Sequence, residues 1–298
     1  MMTEDGLAEI RKACEAKKVR LPDGTMVPQL GQGTWYMGEF SGRYKNELEA
    51  LRTGIGLGLT LIDTAEMYGD GAAEHTVGEA IRSIPREKLF LVSKVYPHNA
   101  DRRKIFSSCE NSLRRLKVRT LDLYLLHWRG RVPLKETVAC MEELIRRGKI
   151  KRWGVSNFDT ADMEDLWKTP GGQNCAVNQV LYHLGSRGIE YDLLPWMRAH
   201  HVPVMAYCPL AQAGRLDREL LEHPAVQKIA QKYGMTTEQV LLAFVLHKPD
   251  MIAIPKAGKP AHVQQNAAAS LHPLSEEDLS LLDAAFPPPN KKVHLDIV

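Results

Sequence analysis

Short apolar runs recur along the chain, and several stop on an ionisable side chain. Leu61-Ile62 stops on Asp63, Leu89 through Ser93 on Lys94, and Leu121 through Leu126 on His127. Between these runs the apolar positions fall every three to four residues, the spacing of an amphipathic helix. Strands are predicted at residues 30–35, 61–64, 89–95, 121–127, 150–156, 176–181, 202–207 and 251–255. Helices at 45–56, 73–82, 102–116, 134–147, 160–168, 191–200, 225–232, 238–247 and 261–270 fall between and after them. Thr236-Thr237-Glu238 and Ser275-Glu276-Glu277-Asp278 read as helix starts with acidic first turns. Apolar strands joined by helical crossovers imply a parallel sheet. Ionisable residues at strand ends imply chemistry at the C-terminal face of a barrel. The expectation is an α/β chain folded as a (β/α)8 TIM barrel.

The ends of the chain add to that unit. Residues 6–17 have the pattern of a short amphipathic helix, read as part of an N-terminal extension over 1–18. Residues 19–27 alternate around Asp23-Gly24, a strong hairpin signal. The tail, 287–298, opens Pro287-Pro288-Pro289-Asn290, which cannot continue a helix and is expected to run across the barrel. With no break in composition, residues 1–298 are expected to form one domain. An open doubly wound sheet would usually carry Gly-x-Gly-x-x-Gly, and none occurs. Gly54, Gly56 and Gly58 lack that spacing and sit at a helix end.

Composition narrows the functional class. The 298 residues include 39 Lys plus Arg and 36 Asp plus Glu, a net charge of +3, so no broad field favours nucleic acid or a membrane. The local clusters Arg102-Arg103-Lys104 and Arg114-Arg115 read as solvated helix faces. Cys14, Cys109, Cys140, Cys175 and Cys208 are scattered, with no Cys-x-x-Cys pair, which suits reduced thiols in a cytoplasmic protein. No run of about 18 apolar residues suggests a transmembrane helix. A monomer acting on a small molecule is expected.

Six motifs in order carry a sharper reading: Asp63-Thr64-Ala65 with Tyr68-Gly69, Ser93-Lys94, Leu125-Leu126-His127, Gly154-Val155-Ser156-Asn157-Phe158, Asn178-Gln179 and Ile254-Pro255-Lys256. Together they resemble the aldo-keto reductase family, from Leu30 to the C-terminal tail. Within that family the chain is similar to a bacterial branch that reduces methylglyoxal and other aldehydes. The resemblance implies a hairpin over the N-terminal end of the barrel, an NADP(H) cofactor and a catalytic tetrad of Asp63, Tyr68, Lys94 and His127.

The chemistry suits those side chains. Carbonyl reduction needs a hydride, a proton donor for the developing alkoxide, and charge stabilisation in a dry site. Tyr68 fits the proton donor, with Lys94 as the cation that eases proton release. Asp63 can hold Lys94 charged and aimed, since a buried ammonium without a partner is costly. His127 can hydrogen-bond the substrate oxygen. Taken singly, each has a commoner reading: a turn, a lysine reaching water, a core histidine. Their order on successive strand ends raises the joint reading. Trp35 and Trp128, and more weakly Tyr96, are substrate-pocket candidates.

Cofactor residues are spread along the chain. Ser156, Asn157 and Gln179 suit a nicotinamide carboxamide, and the Tyr207 ring can stack on the nicotinamide. The resemblance adds Gly33, Thr34 and Trp35 after the first strand. It adds Pro209, Leu210, Gln212 and Gly214 in a flap over the pyrophosphate, and Ile254, Pro255, Lys256, Ala257, His262, Gln265 and Asn266 around the adenosine. Lys256 and the helix start after it form an anion site. His262, Gln265 and Ala257 stand where the family often has arginine, glutamate and serine or threonine. Two rivals stand beside the reductase: a non-enzymatic NADP-binding barrel of the channel β-subunit type, and a metal-dependent barrel hydrolase. Neither His-x-His nor His-Glu-x-x-His is present, so no metal is expected.

Overall fold

The computed structural model describes residues 3–211 and 215–298, of which 215–217 are described by their backbone alone. Helix α1 (Glu4–Ala16) is capped by Thr3, whose hydroxyl accepts from Gly6 N. Strands β1 (Lys18–Arg20) and β2 (Met26–Pro28) pair antiparallel around the Asp23-Gly24 turn, with Val19 opposite Val27.

Among the described residues, eight strands form one parallel sheet: β3 (Gln32–Gly33), β4 (Leu61–Asp63), β5 (Phe90–Val95), β6 (Leu123–Leu126), β7 (Trp153–Ser156), β8 (Asn178–Leu181), β9 (Val204–Tyr207) and β10 (Met251–Ala253). Spatial order follows chain order, so each strand lies beside its predecessor. Backbone hydrogen bonds also link the two outer strands. Gly31 N donates to Ala253 O at 2.8 Å, and Gly33 N to Pro255 O at 3.1 Å. Gly33 is needed at this seam, because a Cβ there would lie 2.7 Å from Ile254 O.

The helices are α2 (Ser41–Gly56), α3 (Ala72–Ala80), α4 (Ile105–Leu116), α5 (Leu134–Arg146), α6 (Thr160–Lys168), α7 (Leu193–Ala199), α8 (Arg215–Leu221), α9 (Pro224–Tyr233), α10 (Thr237–Leu246), α11 (Pro260–Ala268) and α12 (Glu276–Ala285). Capping boxes at Asp159/Asp162, Thr236/Gln239 and Ser275/Asp278 start α6, α10 and α12. The expected starts at Thr236 and Ser275 are therefore present. Several boundaries differ from expectation: α2 begins at Ser41 rather than 45, β7 at Trp153 rather than 150, and β3 is shorter than 30–35. Helix α4 begins at Ile105 rather than 102, because Asp101 Oδ1 accepts from Arg103 N and Lys104 N and holds a turn there. Helix α8 falls just after the predicted flap, where no helix was expected.

Pleating sorts the side chains into two layers. Along β4, β5 and β6 the alternation is strict. Leu61, Phe90, Val92, Leu123 and Leu125 join the inner cluster, while Ile62, Leu91, Tyr124 and Leu126 join the cluster that faces the helices. The inner cluster also takes Val177, Met205, Ile252 and Ile254, together with Val19, Leu21 and Val27 of the β1–β2 hairpin. One step further along the same inward rows stand Asp63, Lys94, His127, Ser156, Gln179 and Tyr207. The strand period thus brings these polar residues from six elements to one end of the sheet.

Candidate active site

Lys94 is the centre of the polar layer and is fully buried. Its ammonium has three donors, and all three are used. Nζ donates to Asp63 Oδ2 at 2.7 Å, to Thr64 O at 2.9 Å and to Tyr68 OH at 3.0 Å. Asp63 is held from two further sides. Gln179 Nε2 donates to its Oδ1 at 2.8 Å, and Thr34 Oγ1 donates to its backbone oxygen at 2.9 Å. Gln179 therefore supports Asp63 as well as lining the cavity, a role that the sequence pattern does not assign.

Burial, and after it the Asp63 charge, hold the Tyr68 phenol well above its usual pKa. The sequence leads to the expectation that Lys94 eases proton release. In the structure burial outweighs that pull, and Tyr68 stays a protonated phenol. Burial also raises Asp63 and lowers Lys94, while the 2.7 Å contact opposes both shifts. His127 is pushed down to about 2 by burial and then by the Lys94 charge, so its ring is neutral. Its Nδ1 is buried without a hydrogen-bond partner among the described residues. The His127 and Tyr68 rings meet edge to face, with centroids 5.7 Å apart.

A cavity of about 1070 Å³ opens over this layer. Asp63, Tyr68 and His127 lie in its wall, as do Trp35 and Trp128. Lys94 does not, because it sits beneath Tyr68. Ser156, Asn157, Gln179 and Tyr207 form a second part of the wall. Tyr207 OH donates to Asn157 Oδ1 at 2.8 Å, and Asn157 Nδ2 donates to His127 O at 3.2 Å. Asn157 has φ 58, a left-handed conformation that asparagine tolerates better than most residues. Gly33, Thr34, Pro209, Leu210, Ile254 and Pro255 also line the cavity, and Lys256 and His262 bring cationic and imidazole groups to it.

Four further expected residues lie outside that wall. Tyr96 is turned onto Trp128, with ring centroids 5.8 Å apart, and so backs the pocket. Ala257 and Asn266 are buried, and Gln265 faces solvent while its carbonyl accepts from Gln239 Nε2 at 2.9 Å. Gln212 and Gly214 lie outside the described residues.

The cavity also has walls that the sequence pattern did not point to. Arg129 follows Trp128 and donates to Asp162, at 2.5 Å, and to Asp165, at 3.1 Å, on α6. Cys208 lies in the wall with its thiol pushed up by burial to about 11. Glu238 arrives from the start of α10, and Ile297 and Val298 from the tail. Arg129 was accessible from its place next to His127-Trp128. Cys208 stands between the expected cofactor residues Tyr207 and Pro209, Glu238 lies in the expected helix start, and Ile297 and Val298 lie in the tail expected to cross the barrel, but none of the four was itself singled out. Among the described residues, no group of three or more His, Cys, Asp or Glu side chains is placed to hold a metal ion.

A model of the aldo/keto reductase family matches residues 29–286. Methylglyoxal reductase YeaE of Escherichia coli is 58% identical over 284 residues, covering 95% of this chain and 100% of that protein. Glyoxal reductase of Bacillus subtilis is 34% identical, covering 89% and 91%. An aldo-keto reductase from Klebsiella pneumoniae, solved in complex with NADPH, superposes with a TM-score of 0.92 at 57% identity, covering 95% of this chain and 99% of that one.

Proposed function

The chain belongs to the aldo-keto reductase family, and from that premise we propose that it is an NADPH-dependent reductase of aldehydes and small reactive dicarbonyls such as methylglyoxal. The observation that carries the reading is the bonding of Lys94 to both Asp63 and Tyr68 below a cavity that also exposes His127. When bound, the nicotinamide supplies the hydride. Tyr68, whose oxygen already accepts from Lys94, has its own proton free to give to the carbonyl oxygen. Neutral His127 orients that oxygen by hydrogen bonding, and Lys94 stabilises the negative charge left on Tyr68.

The residues present suit the cofactor. The cavity is at the upper end of the usual range for ligand sites. Ser156, Asn157 and Gln179 would hold the carboxamide, Tyr207 would stack on the ring, and Lys256 and His262 would meet the adenosine phosphate. Gly33, Thr34, Trp35, Pro209, Leu210, Ile254 and Pro255 would pack along it, with Ala257, Gln265 and Asn266 at the adenosine end. Trp35 and Trp128 would wall the substrate pocket, backed by Tyr96. The complete tetrad argues against the channel-subunit alternative, since a non-enzymatic barrel has no need of it.

We also read the strands as a closed (β/α)8 barrel, floored by the β1–β2 hairpin and crossed by the tail, with residues 1–298 acting as one domain. The links between β3 and β10 and the hairpin residues in the inner cluster support this. No described helix is long and apolar enough to cross a membrane, and the five unpaired cysteines support a cytoplasmic location. A monomer is the proposed state. The test is NADPH consumption with methylglyoxal, substituted benzaldehydes and bulky steroid ketones. Small carbonyls should have the higher kcat/KM, and no turnover of any carbonyl would refute the proposal.

A further inference from the structure

A second buried charged cluster lies on the helix side of the sheet. Glu74 of α3 is fully buried and accepts twice. Ser93 Oγ donates to its Oε1 at 2.5 Å, and Arg115 Nε donates to its Oε2 at 2.5 Å. Ser93 precedes Lys94 in β5, so the pleat turns it away from the cavity. Arg115, in the last turn of α4, also donates to Ser112 Oγ at 3.3 Å.

Arg115 touches the loop that carries Tyr68 as well. A Cβ on Gly71 would lie 2.5 Å from both Cδ and Nε of Arg115, so the arginine lies directly on that backbone. The loop has positive φ at three successive residues: Gly69 (55), Asp70 (50) and Gly71 (93). The two glycines adopt this conformation freely, whereas at Asp70 it is sparsely populated and persists where the surroundings hold it. On its other side the loop meets Glu39, whose Cγ would be 2.8 Å from a Cβ on Gly69.

We propose that Arg115, Glu74 and Ser93 form a positioning unit for the reaction, fixing the Tyr68 loop and the Lys94 strand relative to each other from behind. The inference rests on the reading of Tyr68 and Lys94 as the proton-delivering pair. Arg115 bears on the loop, Ser93 adjoins Lys94, and Glu74 joins the two. A buried ion pair is a weak source of stability, but its geometry is directional. Glu74 also favours the charged form of Lys94, after Asp63.

The test compares Glu74→Gln, Arg115→Lys and the double variant Glu74→Gln/Arg115→Met with wild type. It measures melting temperature, the Kd of NADPH, and the pH profile of kcat. Asp63, His127 and Cys208 also face the Tyr68–Lys94 pair and are unchanged in all three. For folded Glu74→Gln, kcat is expected to fall about tenfold or more with NADPH Kd unchanged. The basic limb should move to lower pH, because Lys94 loses a carboxylate that favours its charge. Arg115→Lys should retain part of kcat. If a single variant fails to fold, the uncharged double variant takes its place, with the same fall in kcat expected but little movement of the basic limb, because it loses one charge of each sign. Wild-type kcat and an unmoved basic limb in a folded variant would overturn the inference, as would a loss of NADPH affinity in step with kcat. Failure of the wild-type chain to reduce any carbonyl would instead overturn the functional reading, and this inference with it.

Discussion

The Lys94 ammonium lies 3.0 Å from the Tyr68 hydroxyl oxygen and donates to it. That contact occupies an acceptor site of the phenol and leaves its proton to face the cavity. Tyr68→Phe keeps the ring and removes the proton. Turnover should fall by at least about 10²-fold, the lower end for a positioned general acid, with NADPH binding little changed. Steady-state rates and cofactor titration check this, and near wild-type turnover would remove Tyr68 from the role.

Lys94 and Asp63 test stability and catalysis separately. Lys94→Met leaves a buried carboxylate with Gln179 as its remaining side-chain donor. Removing one partner of a buried pair costs about 3–5 kcal/mol, so the melting temperature should drop along with activity. The double variant Asp63→Asn/Lys94→Met removes the stranded charge and should regain much of the melting temperature while staying inactive. Recovery of activity in the double variant would show that Lys94 acts only through stability.

Much of the site was legible because it follows the strand period. Asp63, Lys94 and His127 end apolar runs, and the same inward rows supply them in the structure. Gln179 shows where that reading stops. Its place on a strand was clear, but its bond to Asp63 spans 116 residues of sequence separation and joins two non-adjacent strands. Glu238 and Val298 reach the cavity from the start of α10 and from the tail; both segments were expected, but which of their side chains meets the cavity depends on long-range packing. The raised Tyr68 was also invisible, since a residue's desolvation depends on everything packed around it.

Cofactor choice tests the adenosine end. NADPH and NADH differ by one phosphate, so their discrimination must come from groups near it. Lys256 is exposed on the cavity wall, ahead of the α11 start. A charge-assisted hydrogen bond to phosphate is worth roughly 1.5–3 kcal/mol, or about ten- to a hundredfold in affinity. Lys256→Ala should weaken NADPH by about that factor and barely change NADH. Equal weakening of both in a titration would show that Lys256 does not meet the phosphate.

Two buried histidines contribute to the acid side of the stability profile, beside carboxylates such as Asp278 whose pKa is lowered. Burial lowers His127 from 6.5 to about 2 and His183 from 6.5 to about 4. Both stay neutral in the folded chain at pH values where the unfolded chain protonates them. The unfolded state therefore binds more protons, and stability falls as pH drops below about 6.5. For His183 the loss should continue to about pH 4 and reach roughly 3 kcal/mol there. His127 continues to lower pH, but replacing it would disturb the active site, so His183 is the better probe. Its Nδ1 accepts from Gly185 N at 3.1 Å, and asparagine can offer an acceptor in a similar place. His183→Asn should keep that bond while removing the titration. Urea unfolding between pH 7 and pH 4 should then show a shallower loss of stability than in wild type. Parallel profiles for the two proteins would mean that His183 is not the source of the acid sensitivity.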